Sequence, residues 1–242
     1  MLPILILAGG LATRLRPITK EIPKALLEIN GKPFIQYQLE YIREQGIEEV
    51  VICTGYLGQM IKDFSKDGSK YGLKIFYSGD GDKLLGTGGA VKKAINLIDR
   101  NFFVLYGDSY LPIKFKKVQD AFFNSNKLAL MTVLKNKNEW DRSNVFFDKN
   151  IVQEYNKKKP NPEMKFIDYG LSILSKSVFE NYPSEVSFDL SDVFYQLSIN
   201  GKLAGHEVNE RFYEIGSFSG IKETEIFFNK KKGNNELRRT AS

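Results

Sequence analysis

An apolar run at residues 2–7 breaks directly into Gly9-Gly10, and this junction constrains the fold more than any other stretch of the chain. Aliphatic residues in unbroken succession describe a strand buried on both faces, which demands helices above and below it. The glycine pair allows a sharp turn and exposes backbone N–H groups, because no Cβ blocks approach. Thr13, Arg14, Arg16 and Lys24 then bring a hydroxyl, two guanidinium groups and an ammonium. A strand running into a cationic glycine turn predicts a site for a nucleotide polyphosphate.

The same alternation continues. Strand patterns at 50–54, 73–77 and Phe102–Tyr106 are separated by helical patterns at 33–45, 57–64 and 90–98. In the first helix Phe34, Tyr37, Leu39, Tyr41 and Ile42 form the apolar face, and Gly46 ends it. A βαβα order predicts an α/β fold with a mixed, mostly parallel sheet and helices on both faces. After Asp108 the pattern turns to strands at 128–134, 144–147, Ile151–Tyr155 and Phe166–Leu174, with little helix between them. These predict an antiparallel extension of the same sheet. A helix at 189–199, a strand at 211–215 and a closing helix at 219–228 complete one domain, residues 1–229. Its first half is the nucleotide side and its second the acceptor side. Residues 230–242 are set apart as a basic tail.

Composition excludes several classes. The net charge is +6, but +4 of it lies in 230–242, so the body is nearly balanced and nucleic acid is not an expected partner. No apolar run approaches the roughly 18 residues of a membrane span, and no signal peptide is visible, so a cytoplasmic protein is expected. The single cysteine, Cys53, excludes an internal disulfide. His206 is the only histidine and has no acid or serine near it in sequence, which disfavours a histidine-based triad. Zinc-type clusters lack ligands. The glycine turn matches neither the P-loop pattern nor the dinucleotide fingerprint.

Several residues remain as candidates for chemistry. Asp108 follows a strand end, where open α/β sheets bind ligands, and a carboxylate beside phosphates suits Mg²⁺. The run Leu85-Gly86-Thr87-Gly88-Gly89-Ala90 is a second glycine-rich turn opening a helix. It serves either close approach to a base or ribose, or a flexible loop with Thr87 as helix cap. Glu214 sits near the end of a late strand. Asp168 and Gly170 fall inside a strand, where glycine often marks a close neighbour. Lys157 and Lys158 compete as contacts to an acceptor phosphate.

With these residues in view, the chain resembles the sugar-1-phosphate nucleotidylyltransferases in their short, single-domain form. The resemblance is carried by 7–17, by Pro23-Lys24-Ala25-Leu26-Leu27, by 85–90, by Gly107-Asp108 and by Glu214-Ile215-Gly216, in family order. It implies a Rossmann-like nucleotidyltransferase fold and the reaction of an NTP with a sugar 1-phosphate to give an NDP-sugar and pyrophosphate, with Mg²⁺. It further implies Arg14, Lys24 and Asp108 as catalytic residues. Leu7, Ala8, Gly9, Gly10, Thr13, Arg14, Gly86 and Thr87 are implied on the nucleotide, Lys157, Asp168 and Gly170 on the sugar phosphate, and Asp108 with Glu214 on the metal. Ala12 departs from the stricter pattern's third glycine, and Glu214 from its more usual aspartate. Among short relatives the look is that of heptose and mannose 1-phosphate guanylyltransferases of cell-surface glycan synthesis, so GTP is the expected nucleotide. The alternatives are uridylyl or cytidylyl transfer, to another sugar 1-phosphate or to phosphocholine, and a catalytically silent binding subunit. A monomer or homodimer is expected.

Overall fold

The computed structural model describes residues 1–240 apart from 138 and 141. In chain order the strands are β1 (Ile4–Leu7), β2 (Glu28–Ile29), β3 (Lys32–Pro33), β4 (Glu49–Thr54), β5 (Lys74–Gly79), β6 (Phe102–Tyr106) and β7 (Ser109–Tyr110). They continue with β8 (Ala129–Lys135), β9 (Val145–Asp148), β10 (Ile151–Tyr155), β11 (Phe166–Leu174), β12 (Leu203–Val208) and β13 (Tyr213–Glu214). The α-helices are α1 (Phe34–Glu44), α2 (Gly58–Ser65), α3 (Gly86–Ala94), α4 (Phe115–Ser125), α5 (Leu190–Ile199) and α6 (Phe218–Thr240).

Nine strands form one sheet in the order β5-β4-β1-β6-β11-β8-β12-β10-β9. β5, β4, β1 and β6 are mutually parallel. β1 explains why helices must cover both faces. Ile4 and Ile6 point into a core shared with Leu39 and Ile42 of α1 and Val118 of α4. Leu5 points into the opposite core, shared with Val91 of α3 and Val193 and Phe194 of α5. The period of two along a strand thus feeds two separate hydrophobic layers. A third cluster, Ile29, Phe34, Tyr110, Ile215 and Phe228, ties the small β7–β13 ladder to α6.

The second half corrects four expectations. β8 and β12 run parallel, so the extension is mixed rather than antiparallel throughout. β12, which the sequence pattern does not announce, carries Gly205 because a Cβ there would lie 2.4 Å from the Phe147 ring. α4 is a full helix after Asp108, burying Phe115, Val118 and Phe122 at helical spacing. The strand expected at 211–215 shrinks to Tyr213–Glu214 and pairs with β7 outside the main sheet. At the other end, the closing helix runs through the basic segment to Thr240.

Candidate active site

The carboxyl ends of β5, β4, β1 and β6 border one cleft of about 270 Å³. Its lining includes Leu7, Ala8, Gly9 and Gly10 from β1 onward, Lys24 from the following loop, and Gly107 and Asp108 after β6. Gly86 and Thr87 of α3 close the opposite wall, with Asp80, Leu84 and Cys53. Thr13 and Arg14, exposed on a short 3₁₀ turn, lie outside this lining, as do Lys157, Asp168, Gly170 and Glu214.

The strand ends are locked together by backbone. Gly107 donates its N–H to Leu7 O, and Ala8 donates to Cys53 O, both at 2.9 Å. A Cβ on Gly107 would stand 2.7 Å from Leu7 O, which is why glycine precedes Asp108. These bonds occupy the Leu7 carbonyl and the Ala8 N–H. Gly10, by contrast, faces open space, with nothing within 4 Å of a Cβ position. The freedom at Gly10 is therefore available to a ligand.

The second glycine run has a different physical origin. Its glycines are the first turn of α3 itself, not a loop before it. A Cβ on Gly89 would meet Val186 O at 2.5 Å, and one on Gly88 would meet the Phe188 ring at 2.3 Å. Phe188 O accepts from Gly88 N and Gly89 N, satisfying helix-start donors that would otherwise be free for an anion. Thr87 Oγ1 donates to Asp189 Oδ1 at 2.9 Å and accepts from Leu190 N at 2.8 Å, while Asp189 caps α5. Much of this run thus clamps α3 to α5, and Gly86, Thr87 and Ala90 are the members that line the cleft.

Lys24 and Asp108 come together at the β6 end of the cleft. Lys24 Nζ donates to Asp108 Oδ2 at 2.6 Å, with both side chains about one-quarter exposed. Glu214 lies one strand away. It is registered against Ser109, and Ile215 N donates to Asp108 O at 2.9 Å. Asp108, in the turn before β7, and Glu214, on β13, are the carboxylates that would hold Mg²⁺, which takes one or two carboxylates and fills its octahedron with phosphate oxygens and water. Among the described residues no group of three or more His, Cys, Asp or Glu could hold a metal without such help.

Toward β11, Tyr106 is the link between the cleft and Lys157, Asp168 and Gly170. Its side chain lines the cleft, and Lys157 Nζ stands 5.9 Å from its ring centroid. Lys158 instead reaches Asp192 at 2.5 Å, so the lysine run divides into one residue facing the cleft and one facing α5. Gly170, at φ 107°, sits in an irregularity of β11 between Asp168 and Ser172, and a Cβ there would touch the Tyr106 ring at 3.8 Å. Asp168 Oδ1 accepts from Gly170 N at 3.0 Å. Burial pushes the Asp168 carboxyl above its usual range, against the opposing pull of Lys157. Tyr106 and the buried Tyr155 are raised too, by desolvation first and then by Asp168.

Three participants escaped the sequence reading: Asp80, Tyr106 and Tyr155. Asp80 directly follows β5, a strand-end position of the same kind as Asp108 and the one signal that points to it. The two tyrosines look like ordinary strand residues.

The family described as "Nucleotidyl transferase" matches residues 4–229. The chain belongs to that family. It is a nucleotidyltransferase of the sugar-1-phosphate nucleotidylyltransferase group, and membership implies a divalent metal, commonly Mg²⁺. It is 32% identical over 213 residues to the D-glycero-alpha-D-manno-heptose 1-phosphate guanylyltransferase of Campylobacter jejuni, covering 88% of this chain and 93% of that one. A shorter stretch of 74 residues, 31% of each chain, is 46% identical to the choline-phosphate cytidylyltransferase of Streptococcus pneumoniae. Among solved structures, HddC from Yersinia pseudotuberculosis complexed with GMP-PN superposes with a TM-score of 0.80 at 26% identity, over 94% of this chain and all of that one. Among the described residues, no helix of this family member is long and apolar enough to cross a membrane.

Proposed function

We propose that the cleft transfers a guanylyl group from GTP to a sugar 1-phosphate, heptose or mannose 1-phosphate in particular, releasing pyrophosphate. The Lys24–Asp108 pair beside the open Gly10 turn carries this reading. An ammonium and a carboxylate beside an open glycine turn support binding of a polyphosphate and its cation there. The guanylyl preference rests on the names of the Campylobacter and Yersinia relatives.

Lys24 exchanges Asp108 for the α-phosphate and the incoming sugar phosphate, offsetting the repulsion between two anions that must approach each other. Arg14, on its exposed turn, covers the departing pyrophosphate. A phosphate oxygen of the acceptor attacks the α-phosphorus in line, so the chain supplies position and charge rather than a nucleophile. Asp108 and Glu214 would hold Mg²⁺, which would neutralise phosphate charge when bound. Lys157 receives the sugar phosphate, while Asp168 and Tyr106 offer the sugar hydroxyls an acidic and phenolic wall.

Cytidylyl transfer to phosphocholine is the second reading. The local identity to the pneumococcal enzyme favours it. A matrix of four NTPs against heptose, mannose, glucose and N-acetylated sugar 1-phosphates and phosphocholine, read by pyrophosphate release, separates them. The proposal expects GTP with a heptose or mannose 1-phosphate to turn over fastest. GTP inert with every sugar 1-phosphate overturns it.

A further inference from the structure

Helix α1 carries one residue that its place in the core does not explain. The buried positions of the helix are Phe34, Ile35, Gln38, Leu39 and Ile42, a stripe that is apolar apart from Gln38. Gln38 is only 2% exposed, and a carboxamide at that depth costs stability unless it is hydrogen-bonded. Only its donor half is used. Nε2 donates to Tyr106 O at 3.0 Å and to Ser109 O at 2.8 Å, while Oε1 is buried and, among the described residues, accepts from no partner. An apolar residue of the same length would avoid that orphaned acceptor, so packing alone does not favour glutamine here.

The two carbonyls lie on either side of Gly107-Asp108. The same turn is tied from two other directions: Gly107 N donates to Leu7 O, and Asp108 O accepts from Ile215 N, both at 2.9 Å. Gln38 adds a third tie, the one made by a side chain. α1 is also tied to the other member of the ion pair. The backbone N–H of Phe34, its first residue, donates to Leu27 O at 2.9 Å, immediately after the short turn Lys24–Leu26. About one helical turn separates Phe34 from Gln38, so a single stiff element sets the spacing of the two segments. The Lys24 and Asp108 side chains that they carry meet at 2.6 Å.

We infer that Gln38 is a positioning residue for the transfer reaction: from outside the cleft, its two N–H groups hold the Gly107-Asp108 turn at a fixed reach from Lys24 and so aim the Asp108 carboxylate. Gln38 touches neither substrate nor metal and acts through Asp108. Hydrogen-bond partners one step removed from a metal ligand carry effects of roughly 10- to 100-fold. Its role rests on the reading of Asp108 as a metal ligand, not on the choice of base.

The full chain is tested with the NTP that wild type turns over fastest, whichever base that carries. Calorimetry follows binding of that NTP's α,β-methylene analogue, from which pyrophosphate cannot leave, with and without Mg²⁺. The ratio of the two affinities reports how well Asp108 meets the metal. Gln38→Met keeps the length and the helix propensity but has no side-chain N–H. It is expected to melt within about 4 °C of wild type. It should bind the analogue as wild type does without Mg²⁺, and lose roughly tenfold or more of the Mg²⁺ enhancement, with kcat falling by a similar factor. In Gln38→Glu burial keeps the carboxyl protonated and able to donate one bond, so its loss should be smaller; it carries the test if the methionine variant does not fold. In an Asp108→Asn background Gln38→Met should cost nothing more in that ratio, whereas a purely structural residue would cost as much there as in wild type. An unchanged Mg²⁺ enhancement in a folded Gln38 variant, where Asp108→Asn lowers it, overturns the role of Gln38 alone. An Asp108→Asn variant that keeps the full enhancement overturns the metal reading of Asp108 and the role of Gln38 with it.

Discussion

The two ends of the sheet build their binding surfaces from different materials. On the parallel side, β5-β4-β1-β6, the cleft is mostly backbone at strand ends: the Gly9-Gly10 turn, Gly107 locked to Leu7 O, and one cation with two carboxylates, Asp108 and Asp80. On the mixed side the groups are side chains brought from separate strands: Tyr106 of β6 and Asp168 of β11, with Lys157 just past β10; Tyr155 of β10 is fully buried and lies off this surface. On the proposed reading, the first arrangement grips the phosphates common to every nucleotide and the second meets the acceptor.

That contrast is open to attack from several directions. The largest effect is expected at Lys24, which serves both sides. Lys24→Ala should lower kcat by about 10²-fold or more with little change in melting temperature, because the charge it supplies is needed most in the transition state. Near-normal turnover would remove Lys24 from the chemistry. The next effect separates two glycines that look alike in sequence. Gly89→Ala drives a Cβ into Val186 O at 2.5 Å and should destabilise the fold by about 1–3 kcal/mol in denaturant titrations. Gly10→Ala, with open space around it, should melt like wild type but raise KM for the nucleotide several-fold. If the two variants behaved alike, the distinction between a packing glycine and a ligand glycine would fail.

The smallest effect is on the acceptor side and has a defined sign. Burial raises the Asp168 carboxyl in the folded chain, so the folded state holds that proton more tightly than the unfolded one. The contribution is neutral below the ordinary carboxylate value of about 3.9 and becomes a cost as pH rises through the window up to the folded value. Asp168→Asn should therefore melt higher than wild type at neutral pH, with the difference vanishing in acid. The same variant should raise KM for the acceptor and leave KM for the nucleotide unchanged.

These differences also explain what the chain discloses before it folds. The β1 strand, the Gly9-Gly10 turn and Lys24 are contiguous, and their residue types admit few other uses, so the nucleotide side is readable directly. Asp108 is readable because it ends an unmistakable apolar strand. The 85–90 run is half readable. Its glycines announce close approach, but the approaching group includes the chain's own 186–189 segment, a tertiary fact that no local pattern contains. β12 is hidden because Gly205 and His206 interrupt its apolar pattern, and Gly205 makes sense only against the Phe147 ring. Tyr106, Tyr155 and Asp80 are hidden for a related reason. Each is an unremarkable residue until strand order places it at the cleft or beside Asp168. The lysine run shows the same limit on a finer scale, since only the fold turns Lys157 toward Tyr106 and Lys158 toward Asp192.

The measurement that bears most directly on the whole account follows oxygen. A sugar 1-phosphate labelled with ¹⁸O in its phosphate is incubated with GTP, Mg²⁺ and the enzyme, and the products are weighed by mass spectrometry. Attack by the acceptor on the α-phosphorus predicts that all of the label appears in the nucleotide sugar and none in pyrophosphate. Label in pyrophosphate, or release of pyrophosphate without any acceptor, would contradict it.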